Sequence, residues 1–359
     1  MLVKKILKII LTIIIVLIII ALLTILVGKG INLVKIKDNI PPAGINVREY
    51  IEVNGIEEFV QIRGADKNNP VIMFLHGGPG SNSAFYSYTW ELELEKDFTI
   101  VHYDQRASGN TYYKNPEAID PSVAQLVSDL DATVDYVREF LDKDTVIIVG
   151  HSWGSMLGAI YSLEYGDKVS HFIGIGQLVD SIAISELVVG EGIKAAKENG
   201  DFEHAAITEA TYQEFSESDT FSVDKYFDIK TAASKYLPEG ETISFVKTIA
   251  MGLFSPDMTV SDLRWYFGGM GIVEKTNSYI YKELFIDGVS LYDKPLEYKM
   301  PVFFISGADD WVTPVQMTEE YFDSIVAPYK GLHLVEGAGH TPFLTHRDEV
   351  VFLIKSALS

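Results

Sequence analysis

The distribution of hydrophobic and polar residues divides the chain into an apolar N-terminal segment and a long mixed body. Residues 9–27 are 19 consecutive positions without a charge, a proline or a glycine. As a helix rising about 1.5 Å per residue, they would span roughly 28 Å, close to the hydrocarbon thickness of a bilayer. We therefore predict a transmembrane helix over residues 9–27, preceded by a short tail of residues 1–8.

The charges that flank this segment predict its orientation. Lys4, Lys5 and Lys8 precede it. Positive residues hold a short tail in the cytoplasm, which places the body outside the membrane. Three further lysines within residues 29–37 reduce this charge asymmetry. A cleaved signal peptide would have a shorter apolar core of roughly 7–15 residues and a small-residue cleavage site. A buried helix of a soluble protein is the other alternative. Glycines and prolines within residues 28–45 predict a linker.

In the body, short apolar runs alternate with amphipathic stretches. Two runs around Asn54-Gly55 predict an opening hairpin. The remaining strand candidates are residues 71–75, 99–102, 145–149, 169–175, 302–305 and 332–335. Helical spacing of apolar residues indicates helices at 123–141, 315–325 and 346–357. This alternation predicts an α/β fold with a mostly parallel sheet that helices cover on both faces.

One internal segment breaks the rhythm of strands and helices. Residues 179–290 contain no clear strand run and indicate helices joined by loops, for example at 185–199 and 257–266. We expect this segment to form a helical lid over the carboxyl ends of the strands. The body would then comprise a first core part at 46–178, the lid at 179–290 and a second core part at 291–359.

Composition excludes several classes of function. The chain carries 29 basic and 50 acidic residues, and six of the bases lie before residue 38 with no acid. The remaining body therefore has 23 bases against 50 acids, a formal charge of −27, and it would repel nucleic acid. The absence of cysteine excludes disulfides, thiolate nucleophiles and cysteine-ligated metals. The sequence implies neither a metal nor a nucleotide cofactor, because the usual motifs are missing from the right context.

The motif G-x-S-x-G follows the buried strand predicted at 145–149. It occupies residues 150–154 and presents Ser152 between a strand and a helix, which is the context that gives this motif its function. Small glycines permit the strained turn that exposes the hydroxyl, and the helix that starts there directs backbone N–H groups towards a developing oxyanion. Ser152 is therefore the predicted nucleophile.

Two later segments supply an acid and a base. Asp309 and Asp310 follow the strand at 302–305, and either can orient an imidazole from that position. His340 lies in a glycine-rich loop after the last predicted strand. His333 lies within that strand, so we expect it to be structural. A serine hydroxyl needs a base to become nucleophilic near neutral pH, and His340 is best placed for this role.

A glycine-rich loop at residues 76–80 follows the strand at 71–75. Its glycines allow close approach of the backbone to a substrate. The N–H groups of Gly78 and Trp153 form a candidate oxyanion hole. A plain turn is the alternative reading of this loop.

Three motifs together carry a resemblance to a known family. These are H-G-G-P-G at 76–80, D-Q-R-A-S-G at 104–109 and G-H-S-W-G-S at 150–155. From about residue 46 to the end, the chain resembles the proline iminopeptidase family of α/β-hydrolases. The resemblance implies an α/β-hydrolase fold with a Ser-Asp-His triad that removes N-terminal residues, often proline, from short peptides.

The resemblance also assigns roles to residues. The acid of this family lies in G-x-x-D-x-x-x-P, which selects Asp310, and its oxyanion donors map to Gly78 and Trp153. The sequence departs from the family pattern at three sites, where Ser81, Ala107 and His151 replace common glycines. The family binds the substrate ammonium group with acids of the lid. Candidates for substrate binding are Glu186, Glu209, Glu214 and the aromatic Trp265.

Three hypotheses follow from these motifs. The first is a membrane-anchored aminopeptidase that acts on short peptides by acyl transfer through Ser152, Asp310 and His340. The second is a carboxylesterase or lipid-ester hydrolase that uses the same residues at the membrane surface. The third is a hydrolase fold that serves as a non-catalytic binding module.

Overall fold

The structure, a computed structural model, describes residues 2–218 and 220–359. It begins with one long helix, α1 (Leu2–Asn39). The apolar segment at 9–27 lies within α1, and all its side chains except the partly buried Ile25 are exposed. The linker predicted at 28–45 is wrong over most of its length, because residues 28–39 continue the helix. The helix continues through Gly28 and Gly30 because Asn32 and Ile36 pack on the body. It ends before Pro41 and Pro42.

An eight-stranded sheet forms the centre of the body. The strands are β1 (Ile45–Val53), β2 (Ile56–Gly64), β3 (Val71–Leu75), β4 (Thr99–Tyr103), β5 (Val146–His151), β6 (Val169–Ile175), β7 (Val302–Gly307) and β8 (Lys330–Val335). Their order across the sheet is β1-β2-β4-β3-β5-β6-β7-β8. The pairs β1/β2 and β2/β4 are antiparallel, and the others are parallel. The predicted opening hairpin and mostly parallel sheet are confirmed.

Helices cover both faces of this sheet. The core helices are α2 (Gly109–Lys114), α3 (Val123–Leu141), α4 (Trp153–Glu164), α10 (Val315–Ser324), α11 (Pro342–Thr345) and α12 (Arg347–Ala357). The sequence of β3 is continuously apolar because helices cover both faces of this strand. Met73 and Leu75 pack into the cluster that contains α3 and α4, whereas Ile72 and Phe74 pack into the cluster that contains α12. Alternate side chains point to opposite faces of a strand, so a strand covered on both sides has no polar positions.

The segment between β6 and β7 forms a helical lid. Its helices are α5 (Ser181–Glu198), α6 (Phe202–Ser216), α7 (Val223–Ser234), α8 (Phe245–Phe254) and α9 (Val260–Phe285). Residues of α9 contact the loop that follows β3: Trp265 Nε1 donates to the carbonyl of Gly80 at 3.0 Å, and the Tyr281 hydroxyl donates to that of Pro79 at 3.1 Å. The lid therefore lies over the carboxyl end of this strand, where an open parallel sheet binds its ligands.

Candidate active site

Ser152 lies at a sharp turn between β5 and α4. Its backbone has φ 55° and ψ −124°, a conformation that non-glycine residues rarely adopt. Gly150 and Gly154, each two residues away from Ser152, are both needed at this turn. A Cβ at Gly150 would lie 2.7 Å from Ser155 Cα, and one at Gly154 would lie 2.7 Å from the carbonyl oxygen of His76. Only glycine fits such close approaches, so the motif fixes a strained turn that presents the hydroxyl to the cavity beside it.

His340 and Asp310 are joined by a hydrogen bond. Nδ1 of His340 donates to Oδ2 of Asp310 at 2.9 Å. Asp310 also accepts from the N–H groups of Val312 (2.8 Å) and Thr313 (3.1 Å) and from the Thr313 hydroxyl (2.8 Å). Burial alone would raise the pKa of Asp310, but the His340 ring and these hydrogen bonds outweigh it and lower that pKa. Asp310 is thus a fixed carboxylate that can orient an imidazole.

The neighbouring Asp309 does not take this position. It is half-buried, and no hydrogen bond from its side chain to His340 is found among the described residues. The two acids competing for the role in the sequence are therefore distinguished by geometry, with Asp310 next to the base.

Ser152 and His340 line the same cavity. The N–H of Ser152 donates to the carbonyl of Ile175 at 3.0 Å, and a Cβ on the next residue, Gly176, would lie 3.4 Å from Cε1 of His340. Within the described part of the chain, no hydrogen bond joins the Ser152 hydroxyl to His340. Such contacts are often long before substrate binds and tighten in the reactive complex.

The loop at residues 76–80 packs directly against the nucleophile. A Cβ at Gly77 would lie 3.1 Å from Cβ of Ser152, and Gly78 has φ +120°, which favours glycine. Trp153 is the first residue of α4, and an N–H in the first turn of a helix has no acceptor within that helix. Gly78 and Trp153 thus lie on the two backbone segments that flank Ser152.

Gln105 links these two segments, and the sequence motifs alone did not reveal its role. Its backbone N–H donates to Nε2 of His76 at 3.1 Å, and its side-chain amide donates to the carbonyl of His76 at 3.1 Å. Its side-chain oxygen accepts from Nε1 of Trp153 at 3.0 Å. Burial lowers the pKa of His76 to about 4, so the ring stays neutral and accepts. The D-Q-R motif that follows β4 was the available sequence signal.

The three departures from the family pattern have different surroundings. Ala107 has φ +63°, so a side chain replaces a glycine where the backbone is left-handed. Ser81 lines the cavity. His151 lies with its ring centroid 4.8 Å from that of His340. Burial, followed by the nearby His340, lowers the pKa of His151 to about 3 and keeps it neutral.

A cavity of about 680 Å³ lies between the core and the lid. Aromatic side chains make up much of its wall, among them Phe85, Phe221, Tyr226, Phe245, Trp265 and Tyr266. Trp265, a predicted substrate-binding residue, lines the cavity and is also buried in the core. Among the described lining residues there is no carboxylate, and Lys230 is the one lysine or arginine. Burial lowers the pKa of Lys230, although the charge of Asp310 opposes this.

The three glutamates predicted to bind a substrate amine do not line this cavity. Glu186 and Glu209 are exposed on α5 and α6. The carboxylate of exposed Glu214 pairs with Lys225 at 2.6 Å. These helices bury apolar side chains such as Val188 and leave their charged positions in water, which is why the expectation from the lid sequence is wrong. Within the described residues, no group of three potential metal ligands is found.

The comparisons with known proteins agree with this architecture. A family model described as the alpha/beta hydrolase family matches residues 72–351, well over half of the chain. The chain belongs to the α/β-hydrolase family. This membership accounts for the eight-stranded sheet, the strained serine turn after β5 and the histidine loop after β8.

Sequence relatives of this α/β-hydrolase cover most of its length. A Bacillus subtilis protein named as a probable aminopeptidase, YbaC, is 24% identical over 318 residues, which is 84% of this chain and 92% of the relative. A proline iminopeptidase from Lactobacillus helveticus is 27% identical over 316 residues, 85% of this chain and 95% of the relative.

A solved structure, that of a membrane phospholipase A, resembles nearly the whole chain. It superposes with a TM-score of 0.56 at 13% identity and covers 98% of this chain and 97% of its own. At this identity the likeness shows a shared fold alone.

Proposed function

We propose that this α/β-hydrolase acts by acyl transfer through Ser152, His340 and Asp310. Ser152 attacks a substrate carbonyl while His340 removes the hydroxyl proton, and Asp310 holds the imidazole and stabilises its cation. The N–H groups of Gly78 and Trp153 bind the oxyanion. The bond from the carbonyl carbon to the leaving amine or alcohol then breaks, and His340 gives its proton to that group, which departs and leaves the acyl-enzyme. Water attacks the acyl-enzyme with His340 again as base, and the bond to the Ser152 oxygen breaks to release the acid and restore the hydroxyl. The observation that supports this most directly is the 2.9 Å bond from His340 to Asp310 beside the strained Ser152 turn.

The leading substrate class is a short peptide with a free N-terminal proline or small apolar residue. The relatives named aminopeptidase and proline iminopeptidase support it, because they match over 84–85% of this chain. The apolar wall of the cavity also suits a small apolar residue.

The second candidate is hydrolysis of a carboxylester or lipid-derived ester. An aminopeptidase must hold a cationic ammonium group, and the described lining offers Lys230 but no carboxylate. An ester substrate has no such need. This cavity chemistry is the specific observation that favours the second candidate.

Membrane anchoring by α1 completes the proposal. The helix has a mean hydropathy of 3.6 in its most apolar window, and that window is not buried by the protein. We propose an uncleaved span with a cytoplasmic N-terminus and an extracytoplasmic catalytic domain. Added protease on intact cells should digest the body and leave the short tail protected. Digestion only after lysis would contradict this orientation.

One experiment tests the chemistry and separates the candidates. Rates of wild type and Ser152→Ala are measured on prolyl-arylamide and on short acyl arylesters, with fluorophosphonate labelling in parallel. We expect Ser152→Ala to lose turnover by about 10⁴–10⁶-fold, together with labelling. Ser185→Ala, which removes a hydroxyl from lid helix α5, is the matched control and should keep both.

The substrate panel then has three possible outcomes, one for each hypothesis. Turnover that requires a free substrate amine supports the aminopeptidase, and turnover confined to esters supports the second candidate. A wild-type protein that neither labels nor turns over any substrate would support the non-catalytic binding module.

A further inference from the structure

Helix α1 continues beyond its apolar span and uses one face to bind the body. Ile25, Gly28, Asn32 and Ile36 are partly or fully buried, and Ile36 is only 1% exposed. Their spacing of three or four residues places them on one side of the helix. On other sides of this same stretch, Ile31 and Val34 are exposed. The segment after residue 27 therefore contacts the body on one face while it still presents apolar side chains outward.

The body element that meets this face is the lid helix α8. The ring of Phe254, the last residue of α8, occupies the space that a side chain at Gly28 would need. The amide of Asn32 donates to the carbonyl of Phe254 at 3.0 Å, which satisfies one of the free carbonyls at the end of α8. Lid and membrane helix are thus in direct contact.

This contact lies within two turns of the end of the apolar span. Gly28 directly follows Val27, and Asn32 lies about 6 Å further along a helix. If residues 9–27 cross the bilayer, this end of α8 lies at the level of the lipid headgroups.

Helix α8 has the composition of an interfacial helix. It is the one shorter apolar helix found among the described residues. Phe245 and Val246 are 62% and 75% exposed, an arrangement that is unfavourable in water and favourable at a lipid surface. Lys247 on α8 and lysines within residues 29–37 add positive charge beside it. The rest of the body is strongly acidic, so this local charge complements anionic headgroups.

The same helix also forms part of the cavity wall. Phe245 and Thr248 line the cavity, and the Phe245 ring stacks on Tyr266 with centroids 5.5 Å apart. A helix that touches lipid on one side and the cavity on the other provides a path from the bilayer to Ser152.

We propose that α8 lies on the bilayer surface next to α1 and that the cavity receives substrates that partition into the membrane. This rests on the proposed anchoring by α1 and on the second candidate function, ester hydrolysis, which it deepens by naming where the substrate resides. A second copy of the chain is the competing occupant of the exposed α8 surface.

The test of lipid contact does not depend on turnover. Because the chain contains no cysteine, Val246→Cys in the full chain can be labelled with an environment-sensitive fluorophore. The labelled protein is reconstituted into phosphatidylcholine and phosphatidylglycerol vesicles. Ile207→Cys on α6 is the matched control, since it too is an exposed apolar position on a lid helix. Spin-labelled lipids should quench the probe at residue 246 strongly and the probe at residue 207 little.

Two outcomes would overturn the proposal. One is equal, weak quenching at both positions. The other is protection of the residue 246 probe that grows with the ratio of protein to lipid, which would assign α8 to a second copy. Lipid quenching without any hydrolysis would instead contradict the proposed function and leave the lipid contact standing.

A kinetic measurement links this contact to substrate delivery. Val246→Asp should lower turnover of a long-chain ester held in vesicles by at least about fivefold, because a charge at the interface weakens the docking of α8. Turnover of a water-soluble short ester should stay the same, and Ile207→Asp should change neither rate. An equal effect of Val246→Asp on both substrates would contradict delivery from the membrane.

Discussion

Nε2 of His151 donates to the carbonyl oxygen of His340 at 2.9 Å. The residue that precedes the proposed nucleophile therefore holds the loop of the proposed base. Because burial keeps the His151 ring neutral, this contact persists across the working pH range. It couples the position of β5 to the loop after β8 without placing a second charge beside the triad.

The first prediction concerns this contact. His151→Phe should lower kcat by about 10–100-fold, because a shift of the base by about 1 Å misaligns proton transfer. The KM of the same substrate should change little. His333→Ala, an exposed position on β8, is the control and should leave kcat unchanged. A displaced acidic limb of the pH–rate profile in His151→Phe would show that His151 itself titrates, contrary to this account.

The second prediction separates the two adjacent aspartates. Asp310→Asn should reduce kcat by about 10³–10⁴-fold, because the amide cannot stabilise the imidazolium and favours the wrong tautomer. Asp309→Asn should retain activity within about threefold, since it has no bond to His340 in the described structure. Steady-state rates on any turned-over arylester would settle the assignment. Similar losses of kcat in both variants would show that Asp310 does not have a catalytic role distinct from that of Asp309.

The third prediction follows from the charge in the cavity. A lysine near the substrate disfavours a second cation by about 1 kcal/mol or more at an effective dielectric constant near 20. Lys230→Met should therefore lower KM for aminoacyl-arylamides and raise it for esters that carry a carboxylate, by about fivefold in each direction. Lys225→Met on the exposed side of α7 is the control. Movement of both KM values in the same direction would indicate a packing effect instead.

The fourth prediction compares a buried and an exposed ion pair of equal length. Arg63 lies 2.6 Å from Glu95 and 2.7 Å from Asp257, and Arg63 and Glu95 are almost inaccessible to solvent. Removal of Arg63 leaves the buried Glu95 carboxylate without a positively charged partner, so Arg63→Met should lower the free energy of unfolding by about 3–5 kcal/mol.

The exposed pair of Lys96 and Glu93 is also 2.6 Å long. Lys96→Met should change stability by less than about 1 kcal/mol. Urea denaturation of the detergent-solubilised variants measures both effects. Equal losses in the two variants would show that burial does not set the strength of these pairs.

The fifth prediction concerns pH and the buried Asp104. Burial, followed by the neighbouring Asp262 carboxylate, raises the pKa of Asp104 from 3.8 to about 7. The folded state then binds more protons than the unfolded state between these values. The stabilising effect of protonated Asp104 is therefore present below about pH 4 and lost as the pH rises to about 7.

Asp104→Asn removes this titration and preserves an acceptor for Asn110, which donates to Asp104 from its N–H at 2.7 Å. The stability of this variant relative to wild type should rise between pH 4 and pH 7, as measured by thermal unfolding across that range. Asp348→Asn, at a fully exposed site, should show no such trend. A flat difference for Asp104→Asn would mean that Asp104 is already ionised at low pH.

Features determined by local patterns could be predicted from the sequence. The helix Val123–Leu141 has the predicted boundaries because its apolar residues recur at helical spacing, and the strands Val71–Leu75 and Val169–Ile175 have them because each is a short, mainly apolar run. The location of Ser152 followed from the same logic, since its motif and the preceding buried strand are contiguous.

Features that depend on tertiary contacts could not be predicted. Gly28 and Gly30 suggested a linker, but the body supports the helix there through Asn32 and Ile36. The lid acids were candidates because the family resemblance implies that acids of the lid bind the substrate amine, whereas the fold turns Glu186 and Glu209 to solvent. The role of Gln105 depends on His76 and Trp153, which lie in separate parts of the chain and meet only after folding.

The end of α1 also determines how a soluble form of the enzyme should be made. Asn39 donates to the carbonyl of Leu92 at 2.8 Å and to Glu95 at 3.2 Å, and Glu95 in turn holds Arg63. Truncation just before Ile45 would remove these hydrogen bonds and expose to solvent the surface of the body that Ile36 covers. A truncation that begins at Gly28 keeps the amphipathic remainder of α1 in place and discards only the short tail and the proposed span, so it is the better starting point for crystallisation.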